Sequence, residues 1–374
     1  MSDRILLGTR KGLITLTRGA GRGVRWSIGA PDFLGDPVSA VLHDARDGAL
    51  YAALNLGHFG VKLRRSQDRG KTWNEIAVPA YPPQPEGSSR EPDPFTGRPP
   101  APWKLVQLWC LETGGADEEG VLWAGTIPGG LFRSSDRGES WALSESLWRR
   151  PEREEWLGGG YDAPGIHSIC VDPSDSGRVT IGISCGGVWR TEDRGATWRV
   201  AAQGMVADFM PPDRKSDPNI QDPHRVVQCP ARPEVLWAQH HSGVYRSGDG
   251  AARWTEVTAI QPSKFGFTVA VHPADPDTAW FVPAVKDECR VPVDQKLVVA
   301  RTRDGGRTFS VHSRGLPQEH AYDLIYRHGL AVDATGTRLA MASTTGGVWI
   351  SEDAGESWTC VSTQLPPVYC VRFA

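Results

Sequence analysis

Short runs of β-branched and aromatic residues, separated by glycine, proline and aspartate, recur along the whole chain. One group reads HSICVD, RVTIGIS and GGVWRTE, and the next, RVVQCP, VLWAQH and SGVYRSG, repeats the same order. Runs of this length and composition, bounded by turn residues, are typical of β-strands and too short for most helices. The pattern therefore predicts an all-β protein made of repeated groups of strands.

The same turn motif follows each group of strands. A Ser or Thr precedes an Asp by two residues in all six full copies, and a Trp or Phe ends the segment. The Asp can accept backbone N–H bonds within the turn, a following Gly supplies a positive φ, and the aromatic ring packs beneath the hairpin. The motif thus indicates a structural role and not a functional site. The copies are RSQDRGKTW, RSSDRGESW, RTEDRGATW, RSGDGAARW, RTRDGGRTF and ISEDAGESW, ending at Trp73, Trp141, Trp198, Trp254, Phe309 and Trp358.

The spacing of these motifs predicts the number and size of the repeats. A weaker seventh copy, RGAGRGVRW, ends at Trp26 and lacks the Asp. Neighbouring copies lie between 47 residues (Trp26 to Trp73) and 68 residues (Trp73 to Trp141) apart, which suits one four-stranded unit and its loops. We therefore predict a single seven-bladed β-propeller over residues 1–374, with four-stranded antiparallel blades. The predicted blades are 4–28 plus 368–374, 38–78, 105–143, 166–200, 224–257, 266–311 and 322–361.

The two ends of the chain indicate how the ring closes. The N-terminal region supplies three strand-like runs, RILLGT, GLITLT and VRWSI, whereas the C-terminal region ends in a lone VYCVRFA. We expect the last run to be the inner strand of the first blade. Closure of this kind removes the unpaired strand edges that promote aggregation.

These motifs resemble the BNR (Asp-box) repeats of sialidase-like and xyloglucanase-like propellers. The chain is also similar to the seven-bladed photosystem II assembly factor family. The first resemblance implies a glycosidase-type hydrolase, and the second implies a protein-binding propeller. The chain departs from the sialidase pattern, because its first strand reads DRILLGTR in place of a Phe/Tyr-Arg-Ile-Pro motif and the predicted blade count is seven. Fold alone does not carry activity.

Composition narrows the classes of partner. Lys and Arg total 41 and Asp and Glu total 44, which gives a net charge of −3 without a basic footprint for nucleic acid or membrane surfaces. The sequence contains no long apolar run and begins without a signal-peptide pattern. The seven cysteines form no CxxC pair, which favours reduced thiols. These features predict a cytoplasmic protein.

The propeller geometry predicts which face carries a site. Inner strands begin on the face where second strands end, and the turn motifs lie on the opposite face. The long connections at 79–103, 144–166 and 201–223 all join one blade to the next on the first face. Long loops on a rigid scaffold are where binding concentrates.

Three histidines share one position in this arrangement. HSICVD, HRVVQC and HGLAVD place His167, His224 and His328 at the mouth of three inner strands. The equivalent positions elsewhere are Val38, Gln107 and Phe267. Three imidazoles that converge on an axis could hold one divalent metal ion, zinc or similar. Alternatively, these rings fill strand ends as hydrogen-bonded structural residues.

Other polar residues on this face complete the predicted site. Carboxylates near the histidines could orient the rings or act as acids and bases with a neighbouring imidazole. Cations could receive an anionic group of the substrate, and two further polar residues could line the pocket. The acid–base candidates are Asp162, Asp222, Glu319, His320 and Asp323, and the substrate-binding candidates are Lys104, Gln107, Arg225, His240 and Arg327.

Two functions remain open from the sequence. The first is a hydrolase or lyase that acts on a small molecule or carbohydrate at the channel mouth, with or without a metal. The second is a non-catalytic propeller whose loop face binds a protein or peptide. A polar pocket with perturbed titratable groups favours the enzyme, whereas a broad surface with aromatic anchors favours the scaffold.

Overall fold

A computed structural model describes residues 2–20, 25–86, 102–158 and 161–374. The strands form seven separate four-stranded antiparallel sheets, which confirms the predicted propeller. Blades 1 to 4 comprise β1 Arg4–Thr9, β2 Gly12–Arg18 and β3 Trp26–Ile28; β4 Val38–His43, β5 Leu50–Asn55, β6 Val61–Ser66 and β7 Asn74–Ile76; β8 Gln107–Thr113, β9 Leu122–Ile127, β10 Leu131–Ser134 and β11 Ala142–Leu143; β12 Ile166–Val171, β13 Val179–Ile183, β14 Gly187–Thr191 and β15 Arg199–Val200.

The remaining strands complete blades 5 to 7 and return to blade 1. They are β16 Pro223–Cys229, β17 Arg232–His240, β18 Gly243–Ser247 and β19 Thr255–Glu256; β20 Gly266–Val271, β21 Ala279–Pro283, β22 Val299–Thr302 and β23 Ser310–His312; β24 Leu330–Val332, β25 Leu339–Ala342, β26 Val348–Ser351 and β27 Thr359–Ser362; and β28 Val368–Phe373. Helical segments are short: α1 Glu145–Trp148 and 3₁₀ turns at Gly57–Phe59, Pro151–Glu155 and Val293–Gln295. None of the helices within the described ranges has the length and apolarity needed to cross a bilayer.

The C-terminal strand closes the ring as expected. β28 pairs antiparallel with β1, from Ile5 opposite Phe373 to Thr9 opposite Val368, and is the inner strand of blade 1. A single parallel bridge between His328 and Cys370 connects it to blade 7. The first and last parts of the chain therefore share one sheet.

The core consists of apolar layers between neighbouring blades. One layer joins Tyr51 and Leu63 of blade 2 to Leu108 and Phe132 of blade 3. Large rings on the second and third strands of the blades supply most of the volume, and Trp123, Trp189, Trp237 and Trp280 are fully buried. Burying such rings removes a large apolar area from water, which is the main force that holds blade against blade. All seven cysteines are free thiols, as predicted, and four of them are buried.

The turn motif has the same backbone hydrogen bonds to its Asp and to its Ser or Thr in every full copy. In five of the six, the hydroxyl of a second Ser or Thr, four residues after the Asp, also donates to the Asp; in blade 5 Arg253 takes the place of that residue. In blade 2, Asp68 accepts from the Thr72 backbone N–H at 2.9 Å and from its hydroxyl at 2.6 Å, while the Ser66 hydroxyl accepts from Gly70 N–H at 2.7 Å. The motif connects the third strand to the fourth, as predicted. Not only Gly70 but also Arg69, directly after the Asp, has a positive φ (82° and 63°). The Asp side chain satisfies the turn, so a non-glycine residue tolerates the left-handed conformation there.

Candidate functional site

An extra residue interrupts the pairing of most inner strands near the channel mouth. In blade 5, Pro223 pairs with His240 and Arg225 with Gln239, so His224 has no partner across the ladder. The same shift occurs in four other blades, and in blade 6 two residues, Phe267 and Thr268, oppose one. A bulge of this type re-aims a side chain and is common beside functional sites. The single extra residues are Tyr369, Ser39, Trp109, His167 and His224.

In two blades, the residue at the bulge is not the one that the sequence alignment predicted. Ser39 and Trp109 occupy the bulge position, where we expected Val38 and Gln107. The sequence alignment counted residues from the start of each strand, and a bulge is invisible to such a count. His167, His224 and Phe267 do lie at bulges, so the shared position of these three residues is real.

The three histidines nevertheless do not converge as one ligand set. His167 is fully buried, with Nδ1 2.9 Å from the Ser168 hydroxyl. His328 directs Nε2 to the His167 carbonyl at 2.7 Å, so it makes a structural hydrogen bond. Burial, together with nearby Arg327 for His167 and Arg225 for His328, holds the pKa of both rings well below the usual value. Among the described residues, one group of three side chains has its ligand atoms close enough together to hold a metal ion. Neither His167 nor His328 belongs to this group.

Asp222, His224 and His241 form that group, which we call the Asp–His cluster. Asp222 Oδ2 lies 3.5 Å from His224 Nε2 and 3.5 Å from His241 Nδ1, and the three ligand atoms are all within 4.8 Å of one another. His224 is the bulge residue near the start of β16, Asp222 directly precedes this strand, and His241 follows the end of β17. The antiparallel pairing of β16 with β17 therefore brings the three side chains together.

Buried hydrogen bonds fix the carboxylate of Asp222. Its Oδ1 accepts from the backbone N–H of Cys185 at 3.0 Å, and the Ser184 hydroxyl lies 3.4 Å away. Burial alone would raise the pKa of Asp222, but the bonds to His224 and His241 hold this pKa well below its usual range. The carboxylate is thus ionised in a site that excludes most water, where its charge acts strongly on its neighbours.

Aromatic rings hold both imidazoles in place. His224 stacks on Phe267 with ring centres 4.4 Å apart and planes at 8°, and its Nδ1 lies 2.6 Å from the Gly266 carbonyl. His241 contacts Phe209 edge to face at 4.8 Å. Burial lowers the pKa of His224. For His241 burial acts in the same direction, but the bond to Asp222 outweighs it and raises the pKa.

The Asp–His cluster opens into a cleft of about 890 Å³. Asp162 and Asp208 also line this cleft, so other carboxylates face the same space. A charged segment of blade 6 supplies its outer wall with Lys286, Asp287, Glu288 and Arg290. The cleft is therefore polar along its rim and holds the buried cluster in its wall.

A second cavity of about 400 Å³ adjoins the cleft over the channel mouth. Tyr161 and Arg290 line both spaces. Arg327 lies in its wall, with the guanidinium 4.8 Å from the centre of the Trp109 ring. Among the described residues, twelve line this cavity, and they include two arginines and one histidine but neither Asp nor Glu. They are Pro37, Ser39, Asn55, Gly57, Gln107, Trp109, Tyr161, Arg290, Tyr326, Arg327, His328 and Tyr369.

Several predicted residues do lie in these two spaces. Gln107 lines the smaller cavity, where its Oε1 accepts from Asn55 at 3.0 Å and from the Tyr161 hydroxyl at 3.1 Å. Arg327 and His328 line the same cavity, and Asp162, Asp222 and His224 line the cleft. The structure thus gathers six of the predicted residues around one continuous space.

Other predicted residues lie elsewhere. His240 is buried with both ring nitrogens 3.0 Å from backbone N–H groups, of Asp222 and Ser242, and burial lowers its pKa to about 3. Asp323 accepts hydrogen bonds from Ser343 and Thr345 within blade 7. These two side chains are used by the scaffold.

The remaining candidates lie outside the cleft, either as exposed side chains or at the far end of the channel. Glu319, His320 and Lys104 are exposed and are not among the described residues that line either space. Arg225 faces the far end of the channel, in a cavity that it shares with Glu112 and Arg372.

The sequence analysis selected His240 as a pocket residue and did not include His241. Alternation along β17 decides between the two: His240 lies inside the sheet and pairs with Gly243, whereas His241 is the first residue beyond the strand. The position of His241 next to a strand end was the available signal. Tyr369 and Trp109 carried no signal, because only the closed ring brings them to one cavity.

The fold and these two spaces define a seven-bladed propeller with a polar, aromatic-lined pocket over its channel. No family model matches the chain. It is 27% identical over 147 residues to the xyloglucanase Xgh74A of Acetivibrio thermocellus, and the alignment takes in 34% of this chain and 16% of that enzyme. The chain thus spans only about a sixth of the length of this curated relative.

Two solved structures share the fold. The GH74 xyloglucanase of Xanthomonas campestris superposes with a TM-score of 0.65 at 18% identity, over 97% of this chain and 53% of that one. YCF48 bound to D1 peptide gives a TM-score of 0.50 at 14% identity, over 95% of this chain and 92% of that one. At these identities the likeness shows the propeller architecture, in agreement with the resemblance found in the sequence.

Proposed function

We propose that this propeller is a hydrolase or lyase that acts on a small anionic molecule or carbohydrate at the mouth of its channel. The Asp–His cluster is the observation that carries the proposal: a buried, ionised carboxylate with two imidazoles 3.5 Å away opens into a cleft. Titratable groups held in this way mark functional sites more often than surface pairs do.

The smaller cavity is suited to holding the substrate. Its aromatic rings offer flat faces, and its polar groups offer hydrogen bonds, as in most small-molecule sites. Arg290 and Arg327 line this cavity, and their guanidinium groups suit a ligand with a carboxylate, sulfate or phosphate group, with Arg290 held in place by an ion pair to Asp287 at 2.6 Å. An acidic sugar combines both features.

The cluster is suited to the chemical step. A positioned carboxylate and imidazole can direct a water molecule onto a substrate or remove a proton from it. Asp162 and Asp208 lie along the same cleft, which also supplies the second carboxylate that glycosidases require. The similarity to xyloglucanases supports a glycosidic bond as the first linkage to test.

The test compares turnover by the wild type and two variants. Xyloglucan oligosaccharides, acidic sugars and small carboxylate-bearing lactones are the substrates. Asp222→Asn preserves the shape of the side chain but removes its charge, and we expect it to abolish turnover of whichever class is active. Glu119→Gln, an exposed carboxylate between β8 and β9, is the control and should retain wild-type rates. Equal turnover in both variants would remove the Asp–His cluster from the proposal.

A protein-binding role is the second candidate, and exposed aromatic rings favour it. Phe59, Phe209 and Tyr322 are 72%, 43% and 54% exposed, and all three lie on loops of the site face. Aromatic side chains are common anchors of protein interfaces. YCF48 bound to D1 peptide shows that a propeller of this shape can hold a peptide. Loss of partner capture in a Phe209→Ser, Tyr322→Ser variant, with turnover unchanged, would support this function.

A further inference from the structure

We propose that Asp222, His224 and His241 bind one divalent transition-metal ion, zinc or a cation with similar ligand preferences, in the wall of the cleft. This ligand set differs from the three histidines that the sequence suggested. It combines two imidazoles and one carboxylate, a set found in zinc sites that retain open positions for water or substrate. The binding of a cation does not depend on the proposed activity, because it can be measured without a substrate.

The distances within the Asp–His cluster match metal coordination. Zinc binds nitrogen and oxygen at roughly 2.0–2.2 Å, so tetrahedral geometry separates neighbouring ligand atoms by about 3.4 Å. Asp222 Oδ2 lies 3.5 Å from His224 Nε2 and 3.5 Å from His241 Nδ1. All three ligand atoms lie within 4.8 Å of one another, so one ion can contact them together.

The protonation of His224 points in the same direction. Its Nδ1 lies 2.6 Å from the Gly266 carbonyl, which can only accept, so Nδ1 carries a proton. Its other ring nitrogen, Nε2, faces the carboxylate oxygen of Asp222 at 3.5 Å, so both ligand atoms are directed towards the same space. A metal-binding histidine typically donates its other N–H to a backbone carbonyl in this way.

The surrounding groups hold the donors in position. Asp222 Oδ1 accepts from Cys185 N–H, which leaves Oδ2 for the cluster. His224 is fixed by its stack on Phe267, and His241 by its edge contact with Phe209. Asp222 and His224 are almost completely buried, whereas His241 is 23% exposed and faces the cleft. A bound ion therefore has three protein ligands and one open side, the arrangement of a catalytic site.

The experiment measures binding of the metal itself. Full-length protein is stripped with a chelator and titrated with Zn²⁺ and Co²⁺ by calorimetry, and the Co²⁺ absorption spectrum reports the ligand set. His241→Ala is the test variant, because His241 is the most exposed of the three side chains and its loss should destabilise the fold least. His58→Ala is the matched control, an exposed histidine on the same face that is not among the cleft residues. Thermal melting checks that both variants fold.

We expect one equivalent of metal in the wild type and in His58→Ala, with binding at least tenfold weaker in His241→Ala. Asp222→Asn should show the same loss. Binding of less than about a tenth of an equivalent by the wild type, or equal binding by His241→Ala, would overturn the proposal. The outcomes also separate the two proposals. Metal binding without turnover leaves this inference intact, and metal-free turnover that depends on Asp222 leaves only the proposed function.

Discussion

The two faces of the propeller are built on opposite principles. On the face that carries the turn motifs, six blades repeat one set of hydrogen bonds around Asp68, Asp136, Asp193, Asp249, Asp304 and Asp353. On the channel-mouth face, a backbone bulge recurs, but four residue types occupy it in five blades: Tyr, Ser, Trp and, in blades 4 and 5, His. Repetition on one face stabilises the ring, and variation on the other places different side chains around the candidate site.

This contrast separates stability from function within one repeat. The turn motif satisfies backbone groups of its own hairpin, so each copy acts locally and all copies can be alike. The mouth residues act on a shared space, and identical side chains there would make a symmetrical channel without distinct chemical roles. Rigid repeats with variable loop ends are a general way to place different side chains around one ligand.

The largest expected effect is on turnover at the mouth face. Asp222→Asn should lower the rate of the active substrate class by about 10²–10⁴, the usual contribution of a positioned acid–base group. Steady-state kinetics and thermal melting of the same samples provide the comparison. A rate loss accompanied by global unfolding would mean that Asp222 has a structural role. The division of stability and function between the two faces would then be wrong.

The opposite face should respond in stability and not in rate. The Ser247 hydroxyl accepts from the buried N–H of Ala251 at 3.0 Å and donates to Asp249 at 2.8 Å. Ser247→Ala leaves that N–H unsatisfied and should lower the free energy of unfolding by about 1–3 kcal/mol. Denaturant titration measures this change, with kcat expected to remain at the wild-type value. A drop in kcat at unchanged stability would contradict the division between the faces.

A smaller effect is expected in the cavity that we propose as the substrate-binding space. Arg290 lines both spaces and is half exposed, so Arg290→Gln should raise KM for an anionic substrate about tenfold, or roughly 1.4 kcal/mol. The measurement compares an acidic substrate with its neutral analogue. An equal rise in KM for both compounds would indicate a loss of shape, and charge recognition would have to be abandoned.

The smallest effect is the pH response of the turn motifs. Hydrogen bonds from Thr191 and Thr197 lower the pKa of Asp193 to about 2, and bonds from Thr308 do the same for Asp304. A carboxyl whose pKa is lower in the folded state stabilises the fold above its unfolded pKa of about 3.9. That contribution is lost as the pH falls from about 4 towards 2. Melting curves across this range should show a steeper decline for the wild type than for Asp304→Asn.

Much of the architecture could be read from the chain because the repeat is local. The motif ending at Trp73 contains its own acceptor, donors and ring within eight residues, and each copy can be recognised without its neighbours. The lone C-terminal run also had only one vacant place in a closed ring, beside Arg4–Thr9. Local patterns of this kind survive in a single sequence because their partners are a few residues away.

The site was only partly predictable, for a specific physical reason. Asp222 and His224 carried a signal, since both lie at the start of an inner strand. His241 differs from its neighbour His240 by one residue, and only the pairing of β17 with β18 shows which ring points into the sheet. Trp109 and Tyr369 are placed at the mouth by bulges, and a bulge depends on how two strands pair.

The sequence by itself determined an all-β ring of seven blades, its closure by the last strand, and the face that carries the candidate site. Hydrophobic alternation and turn chemistry are enough for this, because they act between residues close in the chain. Only the tertiary structure decided which imidazoles face Asp222 and which aromatic rings surround Arg327. The first contacts join two paired strands of blade 5 and the second join residues from different blades, and the geometry of both depends on shifts of one residue in strand pairing that composition and spacing do not encode.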